Sequence, residues 1–146
     1  MCMTCHGVFK KIFGVRGQMS FAFIWGMRVF VTWLNVMPLY LMNYEMNEWM
    51  TNQTELALTK MLFNILVSMT LLSYGIATFS KPIVIPQLAP PDQRSYCTHC
   101  RNWKPQRTHH CSICQVCVPK MDHHCPWLGN CVGYHNFKSF FLFCVY

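Results

Sequence analysis

Residues 97–131 read CTHCRNWKPQRTHHCSICQVCVPKMDHHCPWLGNC, and this stretch decides the fold. It holds seven of the chain's ten cysteines, with His99, His109, His110, His123 and His124 set among them. Cys97/Cys100 and Cys111/Cys114 are tight pairs, and Cys117 completes a further C-x-x-C. Such a pair lets one turn of backbone present two thiolates to a tetrahedral ion at ~2.3 Å. A secreted disulfide scaffold rarely mixes so many histidines into its cysteines, whereas in a reducing compartment this spacing reads as metal binding. Zinc is the default metal, held for structure.

Counting the donors raises a question. Two closed sites need eight ligands, and seven cysteines are present. Two Cys3His sites would leave one cysteine over. Cys125 suits that part best, with Asp122, His123 and His124 before it and Pro126-Trp127 after it. A free thiol needs activation, because the thiolate is the nucleophile and an unperturbed pKa is ~8.5. A histidine takes the proton and a carboxylate orients the histidine. Asp122, His123 and Cys125 provide those three groups, provided that the metal sites hold the turn in shape.

Outside this stretch the chain is apolar. Hydrophobic residues make up 53% of its 146 positions, high for a small soluble domain. Residues 19–42 contain SFAFIWGMRVFVTWLNVMPLYLM, a first expected span, and 61–80 contain MLFNILVSMTLLSYGIATF, a second without charge. Arg28 is read as marking the cytosolic end of the first span and snorkelling to the headgroups, with a polar cavity inside the bundle as the alternative. Trp25, Trp33, Tyr40, Tyr44 and Trp49 cluster in and beside that span, as interface anchors do.

Lys10, Lys11 and Arg16 precede the first span, and Lys81, Arg94, Arg101, Lys104, Arg107 and Lys120 follow the second. The loop 43–60 carries Glu45, Glu48 and Glu55 against Lys60 alone. The positive-inside bias therefore places the N-terminus (1–18) and the zinc domain (81–136) in the cytosol and the loop in the lumen. A sequon at Asn52 falls in that loop, but close to the membrane, and is read as unoccupied. The proline-rich KPIVIPQLAPPDQ, Lys81 to Gln93, reads as a stiff extended connector. No internal repeat stands out. Residues 137–146, FKSFFLFCVY, read as the start of an incomplete third transmembrane helix.

Cys125 lies shortly before that apolar tail, at the cytosolic membrane face. A nucleophile there meets a lipid tail and a soluble head group together, and acyl-CoA has both. Its phosphates could pair with Arg101, Lys104, Arg107 or Lys120, although these cations would equally offset the net charge of Cys3His sites or touch anionic lipid. The net charge of +7 alone also suits nucleic acid, but two membrane spans argue against that reading. Clustered pairs with histidines speak against thiol–disulfide exchange. CMTCH, Cys2 to His6, matches a haem-attachment pattern by chance, since this end is read as cytosolic; Cys2 and Cys5 could instead be acylated. Cys144 reads as an inert core cysteine.

The run from Cys97 to Phe140 resembles the DHHC cysteine-rich domain of protein S-acyltransferases (palmitoyltransferases). The matching residues are Cys97 and Cys100, KPQR at Lys104–Arg107, His110-Cys111, Cys114, Cys117, DHHCPW at Asp122–Trp127, NCVG at Asn130–Gly133, Asn136 and Phe140. The resemblance implies an α-helical integral membrane protein with a cytosolic, hairpin-rich two-zinc domain between its second and third helices. It implies one zinc on Cys97, Cys100, His110 and Cys117, and another on Cys111, Cys114, His124 and Cys131. By spacing alone His99 and His109 remain alternatives for the first site. It also implies that Cys125 accepts palmitate from palmitoyl-CoA, with His123 as base and Asp122 orienting it, and passes it to cysteine thiols of cytosol-facing substrate proteins near the membrane. The expected setting is the endomembrane system: Golgi, endoplasmic reticulum or plasma membrane. Where the family often carries Asp-Pro-Gly after helix two, this chain has Lys81-Pro82-Ile83. The alternative is a catalytically inactive, truncated member, acting as a zinc-binding membrane interaction protein and pairing with full-length relatives.

Overall fold

The computed structural model describes residues 20–49, 52–87 and 96–146. Cys2, Cys5, His6, Lys10, Lys11, Arg16 and Arg94 lie outside the described residues, as do the readings that rest on them. Helix α1 spans Phe21–Tyr44 and starts where the Ser20 hydroxyl accepts the Phe23 N–H at 3.2 Å. Pro38 sits inside it without ending it. One short turn, α2 (Met46–Trp49), precedes α3 (Gln53–Phe79). Helix α3 starts well ahead of the apolar run at Met61. Asn52 explains this: its side chain accepts the N–H groups of Thr54 at 3.1 Å and Glu55 at 3.5 Å, and Glu55 suits the positive helix end.

Both long helices are apolar and long enough to cross a membrane. Their outward side chains are apolar too: Phe30, Trp33 and Leu34 on α1, Leu62, Ile65 and Leu72 on α3. A helix apolar all round needs an apolar environment. The pair runs antiparallel, as its two ends show. At one end the Arg28 guanidinium lies 5.2 Å from the Phe79 ring. At the other, Asn43 and Asn64 exchange amide hydrogen bonds of 3.1 and 3.3 Å, and Lys60 donates to the Asn43 carbonyl at 2.9 Å. Small polar side chains bonding across apolar helices fix their register.

The cysteine-rich segment folds into three two-stranded antiparallel hairpins: β1 (Tyr96–Cys97) with β2 (Asn102–Trp103), β3 (His109–Cys111) with β4 (Val116–Val118), and β5 (His123–Cys125) with β6 (Asn130–Val132). They are one unit used three times. Cys97, Cys111 and Cys125 each close a first strand and pair with Asn102, Val116 and Asn130 in the same register. After each turn comes a left-handed residue: Arg101 (φ 51°), Gln115 (φ 58°) and Gly129 (φ 60°). One step further from each turn, the facing pairs are Tyr96↔Trp103, His110↔Cys117 and His124↔Cys131. The expectation of no internal repeat is corrected here. The second and third copies share His-His-Cys on their first strands, whereas the first has an aromatic pair where they have His and Cys.

The third hairpin docks on the helices. The Asn130 amide reaches the carbonyls of Ala77, Thr78 and Ser80 at 3.1, 3.3 and 2.7 Å, and Asn136 reaches those of Ala77 and Cys131 at 2.9 and 3.0 Å. The Ala77 and Thr78 carbonyls belong to the last turn of α3 and Ser80 caps it, and two side-chain amides satisfy these orphan acceptors. Helix α4 (Phe137–Val145) follows and packs along α3, with the Tyr74 and Phe143 rings 5.1 Å apart. Val31, Tyr74, Ala77, Cys125, Leu128 and Val132 form the buried core, flanked by Phe140 and Phe143. Arg28 does not reach outward as a snorkelling residue would. Its Nε and Nη2 donate to the Leu128 carbonyl at 3.3 and 3.2 Å.

Candidate active site and metal centres

The repeat accounts for where each cysteine goes. The turn of the first hairpin presents Cys97 and Cys100, and the facing pair of the second, His110 and Cys117, completes a quartet. The turn of the second presents Cys111 and Cys114, completed by His124 and Cys131 of the third. Within each quartet the ligand atoms lie within 4.8 Å of one another. His110 Nδ1 stands 3.3 Å from Cys100 Sγ and 3.8 Å from Cys117 Sγ. His124 Nδ1 stands 3.6, 3.3 and 3.5 Å from the sulfurs of Cys111, Cys114 and Cys131. A tetrahedron with metal–sulfur bonds of ~2.3 Å and a metal–nitrogen bond of ~2.0 Å has N···S edges of roughly 3.5 Å. The residues fit such an ion. Backbone N–H groups of Cys100 and Cys114 point at Cys97 Sγ and Cys111 Sγ, both at 3.4 Å, which suits thiolates.

Strand parity selects the histidines. Side chains alternate across a strand, and directly facing residues share a side. His110 therefore lies on the face of Cys117, its pairing partner, while His109 on the same strand is exposed. His99 stacks on the His110 ring at 4.8 Å but stands outside the quartet. The same alternation divides the third hairpin. His124 turns to the metal quartet with Cys131, and His123 and Cys125 share the opposite face, towards the helices.

On that face the arrangement expected for a working thiol is assembled. Cys125 is buried among Val31, Tyr74, Ala77, Leu128 and Val132, outside both quartets. Nδ1 of His123 contacts Asp122 Oδ2 at 2.8 Å, and Cys125 lies on the same strand face as His123, two residues on. The imidazole is pushed up to about 9 from its usual 6.5, first by the nearby Cys125 side chain; partial burial opposes this, and the bond to Asp122 adds to it. An imidazole so basic is suited to take a thiol proton and hold an imidazolium beside a thiolate. Phe140 braces it edge-on at 5.4 Å. A groove of about 550 Å³ runs between α1 and α3, lined by Trp25, Arg28, Trp33, Leu71, Tyr74 and Phe79 among others; Tyr74 also packs in the cluster that buries Cys125. Arg101, Arg107 and Lys120 are exposed and Lys104 half-buried, and none of them forms an ion pair among the described residues. Lys120 covers the Tyr134 ring at 4.9 Å.

The sequence reading passed over Tyr74, whose hydroxyl donates to the Trp127 carbonyl at 3.1 Å, and the hydrogen bond from Arg28 to Leu128. A charge inside an apolar run was the one signal for Arg28. For Tyr74 the sequence holds none.

Residues 90–146 match a family described as DHHC palmitoyltransferase. The chain is 38% identical over 113 residues to probable protein S-acyltransferase 15 of Arabidopsis thaliana, which covers 68% of this chain and 44% of that protein. It is 40% identical over 100 residues to probable protein S-acyltransferase 16 of the same plant, with 58% and 35% covered. It is 61% identical over 51 residues to palmitoyltransferase ZDHHC2 of Rattus norvegicus, with 35% and 14% covered. The chain thus spans less than half the length of each of these relatives.

Proposed function

Since residues 90–146 match the DHHC palmitoyltransferase family, we propose that the chain acts as a protein S-acyltransferase with Cys125 as the acyl carrier. One observation carries the reading: Cys125 and His123 share a strand face away from both metal quartets, with Asp122 on the far side of the imidazole. In the first step the Cys125 thiolate attacks the thioester carbonyl of a fatty acyl-CoA, for which palmitoyl-CoA is the proposed donor. A new C–S bond forms, the old one breaks, and the CoA thiolate leaves with a proton from His123. In the second step His123 takes the proton of a substrate cysteine, whose thiolate accepts the acyl group and frees Cys125. Asp122 holds the ring and balances its charge.

Two zinc ions on the quartets supply rigidity, and the reaction itself falls to the chain's own side chains. We place α1 and α3 in a membrane with the hairpins on the cytosolic side, following the loop charges. The apolar groove between them then lies where an acyl tail enters from the bilayer, while Arg101, Lys104, Arg107 and Lys120, without an ion pair among the described residues, suit CoA phosphates. Substrates are proteins with cysteines near that face.

The test is labelling of the purified chain in detergent with radioactive palmitoyl-CoA. Hydroxylamine-sensitive label on the parent, lost in Cys125→Ser and His123→Ala with zinc retained, is the expected result. A parent that holds zinc and takes no label would leave a zinc module without acyl transfer.

A further inference from the structure

Three turns in the same register and two metal quartets among the described residues leave the last turn without an ion site. Cys125 stands where Cys97 and Cys111 stand, and Leu128 stands where Cys100 and Cys114 stand. In the first two turns, paired thiols anchor the loop on a metal. In the third, Leu128 is fully buried and offers no donor from its side chain. Something else must hold the loop that carries Cys125.

We propose that Arg28 and Tyr74 replace the missing metal and are the positioning residues of Cys125. They come from different helices and grip successive carbonyls of one turn. Arg28 on α1 places two N–H groups on the Leu128 oxygen, at 3.3 and 3.2 Å, and Tyr74 on α3 donates to the Trp127 oxygen at 3.1 Å. The guanidinium is itself held, with its carbon 5.3 Å from the Trp25 ring and 5.2 Å from the Phe79 ring. The turn has room for nothing more at Gly129, where an added Cβ would meet Ile24 Cγ2 at 2.5 Å and Arg28 Nη2 at 3.4 Å. A charged, two-pronged donor on a carbonyl is the stronger kind of hydrogen bond and fixes direction as well as distance. It also gives the cation inside α1 a reason to be there.

The proposal rests on the acyl-carrier reading of Cys125, and two readouts keep them apart. Arg28→Met, Arg28→Lys and Tyr74→Phe are made in the full chain, and zinc content is measured in each. Label from palmitoyl-CoA is followed over a range of donor concentrations. The rate of iodoacetamide addition to Cys125 is read from its peptide by mass spectrometry. A thiol displaced by even ~1 Å loses on the order of 10- to 100-fold in rate. Arg28→Met is therefore expected to lower the maximal labelling rate by about that factor, whatever it does to the half-saturating donor concentration, since Arg28 also lines the groove. Arg28→Lys should recover part of the loss, and Tyr74→Phe should lose less. Iodoacetamide addition should rise several-fold in Arg28→Met and Tyr74→Phe, as the loosened turn exposes the buried thiol. Both zinc ions stay bound. Loss of zinc in these variants would overturn the proposal by making the pair a support of the metal centres. Labelling and alkylation both within twofold of the parent would overturn it as well. A parent that takes no label sinks the acyl-carrier reading alone, and alkylation of Cys125 then decides the clamp by itself.

Discussion

Gly129→Ala probes the contact between the third hairpin and α1. The glycine sits at φ 60°, where a Cβ costs about 1–2 kcal/mol. Its Cβ would also stand 2.5 Å from Ile24 Cγ2, closer than carbon atoms pack, and forcing extra atoms into a filled contact costs about 1–3 kcal/mol. Together these give about 2–5 kcal/mol. The two causes separate in a double-mutant cycle. On an Ile24→Ala background the clash is gone and only the backbone cost of about 1–2 kcal/mol remains. Stability is read by titrating the purified protein in mixed micelles with sodium dodecyl sulfate and following tryptophan fluorescence. Zinc is counted in parallel and should not change, because Gly129 belongs to neither quartet. A Gly129→Ala protein within about 0.5 kcal/mol of the parent, or one equally costly in both backgrounds, would refute the docking geometry.

Other changes should act locally. Asn130→Leu removes the amide shared among the Ala77, Thr78 and Ser80 carbonyls, and should cost about 1–3 kcal/mol in the same titration. Gln115→Gly relieves a left-handed residue after Cys114 and should gain about 0.5–1 kcal/mol, read as slower zinc loss to a chelator. Stripping both ions with a chelator should abolish labelling and open the hairpins to protease, while far-ultraviolet dichroism keeps the signal of α1 and α3.

Much of the site was legible because cysteine spacing speaks directly of tetrahedral coordination. The odd thiol could be counted, and its neighbours pointed to Asp122 and His123. Spacing left His99, His109 and His110 open, since all adjoin a ligand. The choice of His110 follows from which way a strand side chain points, and that depends on the pairing of β3 with β4. The repeat was present in the sequence at Cys97, Cys111 and Cys125 but was masked, because the first copy has Tyr96 and Trp103 for His and Cys and the third has Leu128 for Cys. Each quartet takes its second pair of ligand residues from the following hairpin, so a row of three must leave its first pair and its last turn unused. The aromatic pair at one end and the free thiol at the other are those remainders. The helix ends were less legible, since Asn52 and Ser20 extend or start helices by capping where hydropathy is silent. Tyr74 could not be foreseen, because its partner is a backbone carbonyl 53 residues away.

The site depends on the opposite facing of three consecutive side chains, with His124 turned to a metal quartet and His123 and Cys125 turned away from it. Alanine at His123, at His124 and at Cys125, with zinc content and hydroxylamine-sensitive palmitoyl label measured on each purified chain, tests it most directly. His123→Ala and Cys125→Ala should keep both zinc ions and lose the label, whereas His124→Ala should lose zinc. Full zinc and label in His124→Ala, or zinc lost from Cys125→Ala, would contradict it.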